Sequence, residues 1–472
     1  MTECDLIIQN AKILTMNDQN SILTKAAVAI NGNHISAIGS TKEITTNYQA
    51  PKEIEASGKV LMPGMVNGHT HLSMSLLRGI ADDLALHDWL ERIWSIETHW
   101  TLDGLVSGAY LAVLEMLRSG ITSCFDLYAW QPTLGVLRKT GMRGSLALFP
   151  FESGKVGVFE EMIDDNRGVS GFMKKILLKK LLRQQYLQMN KHAEQVKKQS
   201  NGRIQLHLGI HSLYSMDTHL IQEAAQKARK AAIPLHIHLA ETKEEVQMIQ
   251  EQHQQTPTEF LHSIGFLGSD TCAAHCCWLS EYDIELLEQT QTNVIHCPVS
   301  NMKMASGVTP VPKLLEKNIV VGLGTDSAVS NGNLDFFEEM RAALLLQRIF
   351  NKNPSVLKAE QVLRMATVNG AQAIGLTEVG TIEEEKKADI ILIDFQRPHL
   401  APMSPKNLIS NIVWSCKSSD VTDVIVDGQI LLRERKFTKL SEKELLTKIQ
   451  QAYVNLSRKI GFNKSEEVFK GK

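Results

Sequence analysis

The chain has 472 residues, more than the roughly 250 to 300 at which one hydrophobic core stops growing, so we expect a large domain and a smaller one. Hydrophobic residues make up 43% and charged residues 22%, which excludes general disorder. The 50 Lys and Arg nearly cancel the 52 Asp and Glu, so no overall field attracts nucleic acid or an anionic membrane. A small, roughly neutral substrate fits this composition better.

Targeting signals and cysteines indicate the cellular compartment in which a protein works. The first residues carry acids rather than a basic leader, and no apolar run approaches the ~20 residues needed to span a bilayer. The seven cysteines are typical of reduced thiols in a protein without an export signal. The sequence therefore predicts a cytoplasmic protein without disulfides.

Both ends of the chain have the pattern of short β-strands. Apolar runs in residues 6–39 surround an Asn-Gly turn at 31 and 32, and similar runs return at 389–393 and 424–432 around Asp-Gly. We therefore expect a small β-sandwich domain built from residues 1–57 and 380–440. A helical extension is expected at 441–472.

Between these segments, residues 58–379 alternate apolar strands with helix-length amphipathic stretches, which is typical of βαβ units. Eight strands are predicted, at residues 60–66, 122–127, 144–149, 204–210, 234–239, 271–274, 293–296 and 319–324. Eight such units favour an α/β fold of the (β/α)₈ TIM barrel type over a doubly wound open sheet. The basic run 174–183, within residues 171–190, is interpreted as a solvated barrel helix or, alternatively, a lid.

Polar residues that can bind a metal follow the predicted strands. Barrel active sites lie at the carboxyl ends of the strands. On an extended strand end, His69 and His71 point to the same side and can bind one ion. Together with imidazole and carboxylate from later strand ends, they suit one divalent ion, Zn²⁺ or alternatively Fe²⁺, and such an ion makes hydroxide available near neutral pH. The residues at strand ends are His69, His71, His211, His238, His275 and Asp326, and the four predicted ligands are His69, His71, His238 and Asp326.

Two further residues are candidates for proton transfer. Glu241, three residues after His238, can lie beside the ion without binding it and act as a proton shuttle. The alternative is that Glu241 caps the helix that follows. His275 either completes the metal shell or polarises the water. The neighbouring cysteines 276, 277 and 297 are expected to be buried apolar residues.

Several longer motifs lie at and between these strand ends. They are LMPGMVNGHTHL at 61–72, LLRGIADDL at 76–84, WLERIW at 89–94, HCPVSNMKMASG at 296–307 and GLGTDS at 322–327. These motifs resemble the amidohydrolase superfamily, and within it the branch of methylthioadenosine and S-adenosylhomocysteine deaminases and triazine chlorohydrolases. The resemblance covers nearly the whole chain.

The resemblance implies roles for individual residues. It matches the predicted metal ligands, and it makes Glu241, His275 and Asp326 catalytic, with Glu241 and Asp326 also contacting substrate. It further implies that Glu97 binds ribose and His211 contacts substrate. The alternatives are a surface carboxylate for Glu97 and a supporting histidine for His211. Members of the branch commonly form homo-oligomers, so a dimer or tetramer is expected.

The implied reaction is deamination of an adenosine-type nucleoside (5′-methylthioadenosine, S-adenosylhomocysteine or adenosine) to the inosine product, with release of ammonia. Leu148 stands where adenosylhomocysteine deaminases have an arginine, so a carboxylate-bearing tail loses a partner. The alternative is hydrolysis of another amino- or chloro-substituted ring, such as a triazine, guanine or a pterin. A cytidine-type deaminase is excluded, because no Pro-Cys-x-x-Cys follows the His-x-Glu at 192–194. A binding protein that has lost catalysis is disfavoured by the complete set of ligands and Glu241.

Overall fold

Eight parallel strands form a barrel in a computed structural model of the chain, which describes residues 1–148 and 187–461. The first and last strands meet where the Asp326 amide donates to the His69 carbonyl at 3.0 Å. The predicted (β/α)₈ fold is confirmed. In order around the barrel, the strands are Met65–Thr70, Ile121–Asp126, Arg143–Leu148, Ile204–Ile210, Leu235–Leu239, Thr271–His275, Asn293–His296 and Val321–Leu323.

The first strand was predicted wrongly as one continuous run over residues 60–66. Lys59–Pro63 pairs antiparallel with Ile390–Asp394 in a second sheet, and the barrel strand begins only at Met65. Gly64 separates the two strands, and a Cβ there would lie 2.1 Å from Thr122, so only glycine fits. The apolar character continues across this junction, which is why the sequence pattern merged the two strands.

The second sheet combines strands from both ends of the chain, as predicted. Val28, Ile390 and Ile425 belong to one buried apolar cluster of this sheet. The exact boundaries at 57/58, 379/380 and 440/441 stay predictions. In spatial order the strands are Lys436–Phe437, Gln429–Arg433, Val421–Val426, Ile390–Asp394, Lys59–Pro63, Leu6–Leu14, Ile22–Asn31 and His34–Ser40, with Glu53–Glu55 beside Leu6–Leu14. Thr2–Glu3 and Tyr48–Gln49 form a separate pair.

A buried ion cluster joins this sheet to the barrel. Arg143, at the start of the third barrel strand, donates to Asp389 at 2.7 Å through Nε and to Asp427 at 2.8 Å through Nη2. All three residues belong to elements far apart in the chain, and all are buried. Paired charges of this kind fix the relative position of the elements that carry them, because separating one partner leaves a buried charge.

Helices surround the barrel and pack on its strands through a large apolar layer. None of the described helices is both long and apolar enough to cross a membrane. The basic run 174–183 lies outside the described residues. The helices are Thr41–Asn47, Leu86–Glu97, Leu102–Arg118, Trp130–Thr140, Met189–Gln199, Thr218–Lys230, Lys243–His253, Pro257–Ser263, Glu281–Thr290, Pro298–Lys303, Val311–Glu316, Ala328–Asn331, Phe336–Phe350, Ala359–Met365, Val368–Ala373, Leu408–Trp414 and Glu442–Lys459.

Candidate metal and substrate site

The four predicted metal ligands converge at one mouth of the barrel. Asp326 Oδ1 lies 3.2 Å from His71 Nε2 and 3.7 Å from His69 Nε2. His238 Nε2 lies 3.4 Å from His71 Nε2. All four side chains are buried, although they come from three strand ends that are far apart in the sequence. Parallel strands of a barrel bring their carboxyl ends to one face, and this explains the convergence.

The hydrogen bonds of the histidines leave nitrogen lone pairs facing one another. His71 Nδ1 donates to the Leu127 carbonyl at 2.7 Å, and His238 Nδ1 donates to the His211 carbonyl at 2.6 Å. Since a neutral imidazole carries one proton, both Nε2 atoms are left as acceptors. His69 Nε2 is buried and has no hydrogen-bond partner among the described residues. Three such nitrogens and a carboxylate are a donor set that suits zinc.

His275 also approaches this cluster, since its ring nitrogen lies within 4.8 Å of those of His69 and His238. Its hydrogen bond differs from those of the other histidines. The Asn301 amide donates to His275 Nδ1 at 3.1 Å, with the amide oriented as in the structure, so the proton of a neutral His275 sits on Nε2. This nitrogen is 3.8 Å from Glu241 Oε2. A protonated Nε2 donates a hydrogen bond rather than binding an ion, which favours polarisation of the water over completion of the metal shell.

Glu241 lies at the edge of the same cluster with only 7% of its surface exposed. Burial raises the pKa of its carboxyl, so the group holds a proton more readily than an exposed glutamate does. The alternative role as a helix cap is not what the structure shows. Thr242 caps the helix Lys243–His253, and its hydroxyl accepts from the amide of Glu245 at 3.2 Å. The Glu241 carboxyl is therefore available to the site.

One short segment supplies hydrogen bonds to three site residues, and none of its donors was predicted from the sequence to have a role. Ser300 Oγ donates to Asp326 Oδ2 at 2.6 Å, and Ser306 Oγ donates to Glu241 Oε1 at 3.1 Å. Asn301, between them, is the donor to His275 described above. The signal was present in the motif at 296–307, where small polar residues follow a barrel strand. Its donors restrain three of the site's side chains.

Glu97 lies in the wall of the cleft above the cluster, 2% exposed, so the alternative of a surface carboxylate is wrong. Its Oε1 accepts a hydrogen bond from the Tyr128 hydroxyl, which in turn accepts from Trp100 Nε1 at 2.8 Å. Burial raises the pKa of Glu97 to about 7 although Tyr128 opposes the shift. The predicted substrate residue is therefore held by a chain of two aromatic side chains that the sequence analysis did not assign.

The cleft is largely apolar and carries no lysine or arginine among its described lining residues. The helix Leu86–Glu97 turns one face into it, with Glu97 at its end. His211 lines the cleft, and its backbone carbonyl accepts from His238 Nδ1; its contact with substrate stays a prediction. Leu148 is 1% exposed and packs in the apolar cluster around the barrel. The described lining residues are His71, Met74, Leu86, Trp89, Leu90, Ile93, Trp94, Glu97, Leu127, Tyr128, His211, Tyr214, His238, Glu241, His275, Met304, Asp326 and Ser330.

Comparison with known proteins agrees with this geometry. The chain is 39% identical over 458 residues to the 5′-deoxyadenosine deaminase of Methanosarcina mazei, covering 97% of this chain and 99% of that protein. It is 36% identical over 456 residues to the 5-methylthioadenosine/S-adenosylhomocysteine deaminase of Pelotomaculum thermopropionicum, covering 96% and 99%. Among solved structures, an adenosine deaminase from Xanthomonas campestris with bound zinc superposes with a TM-score of 0.86 at 27% identity, covering 97% and 99%.

The family resemblance inferred from the motifs is thereby confirmed. Residues 60–431 match the amidohydrolase family profile, a range that contains all the predicted metal ligands and catalytic residues. This chain belongs to the amidohydrolase family.

Proposed function

We propose that this protein is a zinc-dependent aminohydrolase that converts an adenosine-type nucleoside to the corresponding inosine product and releases ammonia. The observation that carries the proposal is the meeting of a histidine-rich metal site, a buried glutamic acid and the Glu97 carboxyl in one apolar cleft. Relatives named as deaminases of such nucleosides, similar over almost the whole chain, support the same reaction. In the described part of the cleft, no specific contact favours the triazine, guanine or pterin alternatives.

One divalent ion per subunit fits the residues present. His69, His71, His238 and Asp326 would hold it, because their donor atoms already face one space. When bound, zinc would supply Lewis acidity and lower the pKa of a water from 15.7 to about 7. Asp326 is kept in position by Ser300 and by the Ser327 amide, which donates to Oδ1 at 2.7 Å.

The site residues also transfer protons and orient the water during the reaction. Water adds to the ring carbon that carries the amino group. Asp326 accepts one proton of this water, and His275 orients the water through a hydrogen bond from Nε2. Glu241 donates its proton to the adjacent ring nitrogen, which suits a carboxyl whose pKa is raised by burial. The amino group then takes the proton held by Asp326 and leaves as ammonia. The added hydroxyl gives its proton to Glu241, so a carbonyl remains on the ring and both carboxyls return to their starting states.

Substrate orientation is assigned to Glu97 and His211. A carboxylate at Glu97 accepts hydrogen bonds from the two ribose hydroxyls, and the Tyr128 hydroxyl donates to Oε1 of the same carboxylate. His211 packs against Trp94, with ring centroids 6.4 Å apart, beside the metal ligand His238. Since the described lining has no cation and Leu148 is buried in the apolar cluster around the barrel, we favour nucleosides without a carboxylate at the 5′ end, such as 5′-methylthioadenosine or adenosine.

We also propose that the enzyme works in the cytoplasm as a homo-oligomer, either a dimer or a tetramer. All seven cysteines are free and buried, which agrees with a reducing compartment. The near balance of charges supports a small-molecule partner rather than nucleic acid or a membrane surface. Light scattering of the purified protein would give the subunit number, and a single monomeric species would refute the oligomer.

The test is ammonia release by metal-loaded protein from a panel of ring compounds. We expect turnover of 5′-methylthioadenosine, 5′-deoxyadenosine or adenosine, lower kcat/KM for S-adenosylhomocysteine, and loss of most activity with 2′,3′-dideoxyadenosine. Chelation should abolish turnover and zinc should restore it. Faster chloride release from a chlorotriazine, or faster ammonia release from guanine or a pterin, would replace the nucleoside with that alternative.

A further inference from the structure

A second His-x-His pair, His236-Ile237-His238, lies on the barrel strand Leu235–Leu239, and its first histidine has no role so far. His236 is fully buried, and its Nε2 is 2.9 Å from Nδ1 of His69. The two ring planes differ by 2° with centroids 5.1 Å apart. Because a nitrogen separation of 2.9 Å is too short for face-to-face packing, the rings lie end to end in one plane, as in a well-aligned hydrogen bond.

His69 differs in this respect from the other histidine ligands. The Nδ1 atoms of His71 and His238 donate to backbone carbonyls, which only accept, so the tautomer of each ring is fixed. The partner of His69 is an imidazole, which can accept or donate. His69 offers a lone pair on Nε2 only when its own proton sits on Nδ1 and His236 accepts it. The ability of His69 to bind an ion therefore depends on His236.

The other nitrogen of His236 indicates that an imidazole carries a cost in stability at this position. When Nε2 accepts from His69, the proton of His236 sits on Nδ1, which is buried and has no hydrogen-bond partner among the described residues. A buried donor left without a partner costs free energy, and an apolar side chain at this position would avoid the cost. Among the described residues, the contact with His69 is the polar interaction that the His236 imidazole makes, while its face packs on Phe125.

We propose that His236 is a positioning residue of the metal centre, which accepts the Nδ1 proton of His69 and so keeps the Nε2 lone pair directed at the ion. The inference rests on the proposed metal site, but not on the identity of the substrate. Partners that orient a ligand histidine typically change metal affinity 10- to 100-fold when they are removed.

The barrel provides a matched control in His207. It is equally buried, on the neighbouring strand Ile204–Ile210, and the ring of Phe125 contacts both histidines, with centroids 3.9 Å from His236 and 5.1 Å from His207. The hydrogen bond of His207 goes to Gln205 at 3.1 Å rather than to a proposed ligand. Removing His207 therefore perturbs the same apolar packing without touching the metal centre.

The experiment measures zinc affinity of metal-free protein by competition with a chromophoric chelator, together with the visible spectrum of the Co²⁺-loaded form. His236→Leu should bind zinc about 10- to 100-fold more weakly and change the Co²⁺ spectrum. His236→Gln should bind close to wild type, because its amide oxygen reaches the position of Nε2. His207→Leu should match wild type in both measurements. The metal-free His236→Leu protein should melt no lower than metal-free wild type, because an unpaired buried donor is gone.

The results distinguish a failure of the role proposed for His236 from a failure of the proposed function. Zinc affinity of His236→Leu equal to wild type, or an equal loss in His207→Leu, would overturn the inference while leaving the proposed function intact. If wild-type protein binds no stoichiometric metal, both fail. If His236→Leu does not fold, His236→Asn replaces it: its shorter amide cannot reach His69, so it should lose affinity while His236→Gln keeps it. Equal affinity of these two polar variants would also refute the role.

Discussion

Replacing Glu241 with glutamine tests the proposed proton donor with little change of shape. The glutamine oxygen can still accept from Ser306 Oγ, which is 3.1 Å from Glu241 Oε1. The backbone amide of residue 241 can still donate to Glu245 at 2.8 Å. The variant therefore removes the transferable proton and leaves the surrounding hydrogen bonds in place. None of the four proposed metal ligands is altered, so zinc content should remain at the wild-type level.

The expected loss follows from the role of the carboxyl. A positioned general acid contributes about 10² to 10⁴ in rate, or about 3 to 5 kcal/mol of barrier, and an amide cannot supply this. The stability of wild type and that of Glu241→Gln should also depend differently on pH. Because burial raises the pKa of Glu241, the folded state binds its proton more tightly than the unfolded chain, and stability falls as pH rises past the ordinary pKa of the group. Glu241→Gln lacks this loss and should gain stability relative to wild type at alkaline pH.

The assay combines kcat/KM for a nucleoside with zinc content and thermal melting on the same preparations. Glu244→Gln is the matched control, because Glu244 is exposed on the first turn of the helix Lys243–His253, which follows Glu241, and its substitution removes one charge without entering the cleft. The control should keep wild-type kinetics. A Glu241→Gln enzyme with kcat/KM within about tenfold of wild type would remove Glu241 from the mechanism. Loss of zinc along with activity would instead make it part of the metal site.

Further predictions concern the groups that support the site. Burial raises the pKa of Glu97 to about 7 from an ordinary value of 4.5, so stability of the metal-free protein should fall as pH rises through this window. The Glu97 share of this loss should approach about 3 kcal/mol; urea unfolding of Glu97→Gln should therefore show a shallower slope than wild type, because other buried carboxyls such as Glu241 keep their own pH dependence, and a slope equal to that of wild type would contradict the assignment. Tyr128→Phe removes the donor to Glu97 and should raise KM for ribonucleosides about tenfold, with kcat and the activity on 2′,3′-dideoxyadenosine nearly unchanged; an equal effect on both substrates would assign Tyr128 a structural role only. Ser300→Ala removes the 2.6 Å hydrogen bond to Asp326 and should lower kcat/KM about 10- to 100-fold, mainly through kcat; unchanged kinetics would show that the Ser327 amide alone holds the carboxylate.

The strands and the convergence of the proposed metal ligands were predictable because they depend on local patterns. Apolar runs of strand length mark where the barrel strands lie, and a histidine or aspartate just after such a run must lie at the same mouth. The merged strand at 60–66 arose because residues 60–63 and 65–66 are all buried and apolar although they belong to different sheets. Periodicity does not show which sheet a strand joins.

The hydrogen bonds that hold the site could not be read from local patterns. Ser300 meets Asp326 across 26 residues, Ser306 meets Glu241 across 65, and Tyr128 meets Glu97 across 31. Each pair depends on the fold bringing separate segments together, and serine and tyrosine occur at many positions without such roles. Two features distinguish them from ordinary surface residues: both serines lie in the motif at 296–307, and Tyr128 follows the barrel strand Ile121–Asp126.

The backbone at the site also departs from what local sequence favours. His275, Asp326 and Ala240, which precedes Glu241, have positive φ angles of 72°, 59° and 47°. Non-glycine residues in this region cost of the order of 1 to 3 kcal/mol each. Glycine would relieve the strain at His275 and Asp326 but would remove the imidazole and the carboxylate. The strain is therefore tolerated where the chain turns at a strand end and directs a reactive side chain across the barrel mouth. The departure from local rules at His275 and Asp326 agrees with the functional roles proposed for these two residues.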